Sequence, residues 1–160
     1  MDSSLQIDRL ADHPEAIPIL KAWFETEWTP YYGPDGPGNA EQDLLRSCNR
    51  DVLPITMVAL LEGEVCGTVA LKHESVTTHG HLSPWLAALL VAPAFRRRGV
   101  GEHLIAAVEE GARQLGFAYL YVGTGAGSGS PASTLRRRGW EFIERGPYFA
   151  SEVSIFRKAL

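Results

Sequence analysis

Three consecutive arginines, Arg96, Arg97 and Arg98, run into Gly99-Val100-Gly101-Glu102. The chemistry these residues suit is the holding of an anion. Gly99 and Gly101 admit close backbone approach, and an amphipathic helical pattern begins beside them. The free N–H groups and dipole of a helix start make a pyrophosphate site, and the guanidinium groups add the charge that neutralises it. Without a ligand the same residues are a solvated basic turn whose cations oppose the helix dipole, so an anion is wanted there. A second glycine-rich stretch, "GTGAGSGSPA" over 123–132, competes for the role. Its Gly127, Gly129 and Ala132 spell G-x-G-x-x-A, on paper the fingerprint of a nucleotide-binding oxidoreductase. That fold requires another strand with an acidic residue about 20 positions on, and further βαβ units. A chain of 160 residues leaves too little after Ala132 to build them. The loop reads instead as glycines supplying turns.

Residues able to move a proton gather in "KHESVTTHGHLSPW". His73 and Glu74 close one probable strand, and His79 and His81 lie in the loop entering the next. A histidine that titrates near pH ~6.5 is suited to taking a proton at neutral pH. Each of these residues has the alternative of being an exposed polar loop residue. His79 and His81, two apart, have the spacing of two ligands on one strand face, but no third ligand is evident and no metal is expected. Aromatic residues cluster at Trp23, Phe24, Trp28, Tyr31 and Tyr32. Trp23 and Phe24 read as helix core. Trp28, Tyr31 and Tyr32, beside Gly33 and Pro34, read as the lip of a pocket for a cationic or planar substrate. Glu25 and Glu27 would attract an amine or simply be solvated.

These residues must be positioned by a frame, and the hydrophobic pattern supplies one. "LQIDRL" alternates as an opening strand. Ile17, Leu20, Ala22, Phe24 and Trp28 mark a helix face in which Pro18 signals a late start or a kink. "TPYYGPDGPGNA" reads as a loop, followed by a short helix from about Ala40 to Cys48. "ITMVALLEGEVCGTVALKHES" reads as a hairpin around "EGE". "PWLAALLVAP" is apolar enough to be a strand buried on both faces. Val100, Leu104, Ile105, Val108, Ala112 and Leu115 mark the next helix, with Glu109 and Arg113 expected to pair four apart on its far side. Gly116 ends it. "FAYLYV" makes strand–helix–strand a parallel crossover. A short helix follows from about Pro131 to Arg138, and "WEFIER" and "EVSIFRKAL" form a closing antiparallel pair. The expected class is mixed α/β, in one domain over residues 1–160.

Composition narrows the function. The formal net charge of −4, with 45% hydrophobic residues, is that of an ordinary globular chain. It argues against nucleic acid or anionic membrane as partner. Cys48 and Cys66 stand at no metal-ligand spacing and read as small hydrophobes of a reducing compartment. The N-terminus has neither the basic start nor the apolar block of a signal peptide, so a cytoplasmic location is expected.

"WLAALLVAPAFRRRGVG" followed by an amphipathic helix resembles motif A of the GNAT superfamily of N-acetyltransferases. Arg96, Gly99 and Gly101 match its Q/R-x-x-G-x-G/A, with Val91 and Pro93 placed as the family places them. "STLRRRGWEFIE" resembles the later helix and strand, and the resemblance spans nearly the whole chain. It implies the acyl-CoA N-acyltransferase fold, a central twisted mixed sheet flanked by helices, with acetyl-CoA as cosubstrate and no metal. The pyrophosphate would lie on the amides from Arg97 through Arg98, Gly99, Val100 and Gly101 to Glu102. The pantetheine would pair with backbone groups of Leu89, Leu90 and Val91, with Arg136 or Arg137 near the adenosine phosphate. A primary amine of a small molecule or peptide would attack the thioester directly, after His73, Glu74 or His81 removes its proton. A backbone N–H near Val91 would hold the oxyanion. Many members protonate the leaving sulfur with a tyrosine on the later helix. Aligning Gly139-Trp140 with the family's G-F puts Leu135 there; Ser133 and Thr134 are nearby hydroxyls but poor acids, and Tyr148 reaches in only if its strand curls over the site. Leucine cannot donate a proton, so a non-catalytic acyl-CoA sensor is the alternative. The edge of the closing hairpin admits a homodimer, by analogy with the family.

Overall fold

The computed structural model describes residues 4–125, 130–148 and 151–160, with only the backbone of Tyr148. Seven strands form one sheet in the order β1-β2-β3-β4-β5-β7-β6. They are β1 (Leu5–Arg9), β2 (Ile55–Leu61), β3 (Glu64–Lys72), β4 (Trp85–Val91), β5 (Tyr119–Thr124), β6 (Glu141–Tyr148) and β7 (Ser151–Ala159). All neighbours are antiparallel except β4 and β5, so the sheet is mixed as expected. The β2–β3 hairpin turns on Glu62 and Gly63, at φ 52° and 84°. Two left-handed residues in succession make the tight turn whose twist matches that of the strands.

The helices are α1 (Ile17–Glu27), α2 (Thr29–Tyr32), α3 (Ala40–Arg46), α4 (Val100–Gln114) and α5 (Ala132–Arg137). Pro18 marks a late start: two 3-10 turns at Leu10–Asp12 and Pro14–Ala16 precede α1. The stretch expected to be loop begins with a helical turn, α2, because Pro30 suits a first turn and the Gly33 N–H closes onto the Thr29 carbonyl at 2.8 Å. Asn39 caps α3, its side-chain oxygen accepting from the Gln42 N–H at 3.0 Å.

Alternate residues of the sheet face opposite layers. On one face Val100, Leu104, Ile105, Val108 and Ala112 of α4 pack on Met57, Val69, Leu71, Leu86 and Leu120. Gly67 allows this approach, since a Cβ there would lie 3.0 Å from Leu104 Cδ1 and 3.1 Å from Val100 Cγ1. On the other face α1 and α3 cover β2 with Leu20, Phe24 and Leu44. The segment before β4 covers the far half through Val76, which joins Trp85, Tyr121, Val153 and Ile155. Cys66 is buried and Cys48 half-buried, both as free thiols. No helix among the described residues is long and apolar enough to cross a membrane.

Two further expectations are corrected. Glu109 does not pair with Arg113, which bonds to Glu110. Glu109 lies 3% exposed and accepts from Arg138 (2.7 Å), Trp140 Nε1 (2.8 Å) and Lys158 Nζ (3.1 Å). Charges from α5's end and β7 satisfy it where water cannot. Nor is β4 buried throughout, since Ala87, Ala88, Leu89 and Val91 are only partly covered. The cause is its separation from β5.

Candidate active site

Strands β4 and β5 pair at two positions only, Trp85↔Tyr121 and Leu86↔Val122. Beyond them the parallel ladder opens. The opening coincides with a bulge in β4, where the register against β3 shifts between Thr68 and Ala70 and Ala88 takes φ 53°. A bulge bends and twists its strand, here away from β5. The Ala92 N–H bonds to the Cys66 carbonyl at 2.9 Å. By the two-residue period, Leu90 turns its backbone groups to Thr68 while Val91 turns its own toward the gap. Of the three residues expected to line the gap with backbone groups, Leu90 is thus committed to β3. The Val91 carbonyl accepts from Arg96 Nε at 2.9 Å.

At the mouth of this gap the arginine turn runs into α4. Arg97 and Gly99 take left-handed conformations, φ 66° and 80°, which aim successive amides to one side. The first amide with a partner inside α4 is that of His103, bonded to the Gly99 carbonyl at 3.1 Å. Those of Val100, Gly101 and Glu102 precede it and point out of the helix end toward an acceptor. The backbone at Gly101 is open enough that a Cβ would meet only Val91 Cγ2, at 3.7 Å. Arg98 stacks on the Phe95 ring at 5.5 Å.

The short helix α5 forms the neighbouring wall. Arg137 Nη2 donates to Glu102 at 2.9 Å and Arg138 Nη1 to the same carboxylate at 3.4 Å. The bond from Arg137 holds the Glu102 carboxyl below its usual range, so what Glu102 offers an anion is its amide. Arg136 turns away, its guanidinium over the Phe156 ring at 5.2 Å, beside a cleft of about 580 Å³ lined by Thr124, Ser133 and Ser154. Of the two arginines weighed for the adenosine phosphate, Arg137 is the one at the α4 turn. Leu135 is 1% exposed in the core beneath α4. Its position is inward-facing, and Ser133 is exposed and Thr134 partly so. The side chain of Tyr148, and Gly127 and Gly129 of the second glycine stretch, lie outside the described residues.

The candidate bases are not gathered. His73 and Glu74 are exposed just past β3, and His81 is exposed. His81 stacks on His79 at 5.8 Å. His79 is 8% exposed and fixed toward β6, with Nδ1 at 2.9 Å from Thr78 Oγ1 and Nε2 at 3.4 Å from Glu144. Among the described residues no hydrogen bond joins His73, Glu74 and His81. The aromatic residues do assemble. Tyr32 stacks on Phe24 at 5.6 Å, Trp28 tilts against Phe24 at 4.9 Å, and Tyr31 meets Tyr32 edge-on at 4.7 Å. Tyr32 also donates to Asp43 Oδ2 at 2.8 Å. Asp43 and Lys72 line one small cavity with Ala88, the bulge residue. Sequence reasoning passed over both, since a lysine ending a strand and an aspartate in a short helix resemble solvated surface.

The acetyltransferase (GNAT) family model matches residues 20–138. Among solved structures, aminoglycoside 6'-acetyltransferase type Ii is 17% identical, covers 96% of each chain and superposes with a TM-score of 0.74. An aminoglycoside 6'-N-acetyltransferase complexed with coenzyme A is 14% identical over 96% of each chain, TM-score 0.74. Ard1 from Thermoplasma volcanium is 19% identical over 98% of each chain, TM-score 0.75. At these identities the likeness is one of fold. A search of curated protein sequences finds no match. The family match covers well over half the chain, and the protein belongs to the acetyltransferase (GNAT) family.

Proposed function

We propose that the protein is an acetyl-CoA-dependent N-acetyltransferase acting on a primary amine of a small molecule or peptide. The observation that carries the reading is the opening of β4 from β5 directly below the left-handed Gly99 turn and the outward amides of α4. The pyrophosphate lies on the amides of residues 97–102, and the pantetheine enters the gap along Leu89 and Val91. The thioester then sits by the bulge, with acceptor entering from the side of Trp28, Tyr31 and Tyr32. The amine attacks the thioester carbonyl, a backbone N–H near Val91 stabilises the oxyanion, and the thiolate leaves. A thiol pKa of about 8.5 makes that departure feasible without an acid.

A second reading is kept for one reason. Leu135 aligns with the position at which many members of the family carry a tyrosine acid, and it is buried. A non-catalytic acyl-CoA sensor on the same fold would need no such group.

Calorimetric titration with acetyl-CoA, CoA and NADH separates these readings when coupled to thiol-release assays with primary amines. Gly101→Glu is the informative variant. It places a carboxylate in the first turn of α4, where the dipole favours it and the fold is preserved, but where a pyrophosphate would be repelled. Gly99→Glu is less clean because Gly99 is left-handed. Acetyl-CoA binding weakened at least tenfold, a loss of about 1.4 kcal/mol, is expected for Gly101→Glu. Binding without thiol release for any amine would favour the sensor. NADH binding in place of acetyl-CoA would overturn both.

A further inference from the structure

The chain has three lysines. Lys21 pairs with Glu25 and Lys158 with Glu109. Lys72 alone forms no ion pair or hydrogen bond among the described residues, and it is half-buried. It ends β3 opposite Trp85 and shares its sheet face with Thr68 and Ala70. Its side chain lines a cavity of about 10 Å³ together with Ala88, Asp43, Ser47 and Thr56. A volume of that size suits one small polar group. No unpartnered side-chain nitrogen or oxygen among the described residues is sealed from solvent, so the Lys72 Nζ stays reachable from outside while its partial burial favours the neutral form. Burial pushes the Lys72 amine below its ordinary range, and the field of Asp43 only partly opposes this. Asp43 on α3 is the charged group facing Lys72, and it is bonded to Tyr32 of α2. The elements β2, β4 and α1 present Thr56, Ala88 and Phe24 to the same cavity.

We propose that Lys72 is the catalytic base, taking the proton from the acceptor ammonium beside the β4 bulge. The inference rests on acetyl transfer in the β4–β5 gap. Neutral Lys72 Nζ accepts one proton from the substrate R–NH3⁺, giving R–NH2 and a Lys72 ammonium that the field of Asp43 favours. The nitrogen lone pair then forms the N–C bond to the thioester carbonyl, the C–S bond breaks, and its electron pair leaves with sulfur. The second N–H proton of the tetrahedral adduct goes to the thiolate, giving the amide and CoA thiol. Lys72 returns its proton to solvent.

The test uses the whole protein, Lys72→Arg and Lys72→Met. Acetyl-CoA affinity is measured by calorimetry, and the Nζ of ¹⁵N-labelled lysine is titrated by NMR with CoA bound, the Met variant identifying the Lys72 signal. Thiol release with spermidine and tobramycin is followed against pH. Arginine matches the protonated lysine in charge and reach but cannot deprotonate, so a structural role of a cation is rescued by it and a base is not. Both variants are expected to bind acetyl-CoA as the wild type does. They are expected to release thiol at least about 100-fold more slowly, with the pH limb that tracks the Nζ titration gone. Lys72 titrating in the usual lysine range near ~10.4, or turnover retained in the Lys72→Arg variant, overturns the inference. Failure of the wild type to bind acetyl-CoA overturns the proposed function, and the inference with it. If neither probe amine is consumed, the Nζ titration decides.

Discussion

Glu109→Gln tests whether the buried carboxylate under α4 anchors the fold through charge. In the native protein Glu109 is 3% exposed and accepts from two cations and an indole N–H. Glutamine keeps the shape but has one acceptor oxygen, and it turns an NH2 toward Arg138 or Lys158. Removing one member of a buried ion pair typically costs about 3–5 kcal/mol. Here the side chains of Arg138 and Lys158 remain 25% and 18% exposed and can regain water, which lowers the expected loss to about 2–3 kcal/mol. For a domain of this size that is a fall in Tm of roughly 5–10 °C. The effect carries a pH signature. Burial raises the Glu109 carboxyl, but the bonds from Arg138, Trp140 and Lys158 outweigh it and hold the group below its ordinary range. A depressed folded pKa contributes stability above the unfolded value of about 4.3, and that contribution is lost as pH falls through the folded value. The gap between wild type and Glu109→Gln is therefore full at neutral pH and closes in acid. Denaturant unfolding at several pH values measures it. A neutral-pH difference under about 1 kcal/mol, or one unchanged in acid, refutes the reasoning.

Three further outcomes are expected. Leu135→Tyr, which puts the family's hydroxyl at that position, overpacks the core and costs about 1–3 kcal/mol in denaturant unfolding without speeding thiol release. Gly67→Ala forces a methyl against Leu104 Cδ1, Val100 Cγ1 and the Leu90 carbonyl. It should cost about 1–3 kcal/mol and weaken acetyl-CoA binding measured by calorimetry, because Val100 begins the helix that carries the amides. His13 bonds to Asp8 at 2.8 Å, which raises its pKa. Its contribution is present below about pH 6.5 and lost as pH rises through the folded value, so His13→Gln should cost about 0.5–1 kcal/mol near pH ~5.5 and almost nothing near pH ~8.5 in thermal unfolding.

The features legible in the sequence are those set within a few residues. The hairpin turn at Glu62-Gly63, the apolar stripe opening at Val100 and the arginine–glycine turn before it follow from turn chemistry and helical period, and the structure keeps them, except that the stripe stops at Ala112 and Leu115 is 38% exposed past the end of α4. The family resemblance rested on the same local pattern. What needed the folded chain was anything decided by partners distant in sequence. The period puts Glu109 on the far side of the helix, paired with Arg113, but contact with Arg138, 29 residues on, holds it as a buried anion. The apolar run of β4 reads as doubly buried, yet its bulge and its two-residue pairing with β5 leave it open along the gap. Tyr31 and Tyr32 read as a pocket lip from the sequence, whereas the bond from Tyr32 to Asp43 and the small cavity that Asp43 shares with Lys72 exist only in the folded chain. Local pattern determines which way a backbone runs and which face is apolar. The environment of a charge is the sum of fields and excluded water from several elements at once, and it exists only after they have packed.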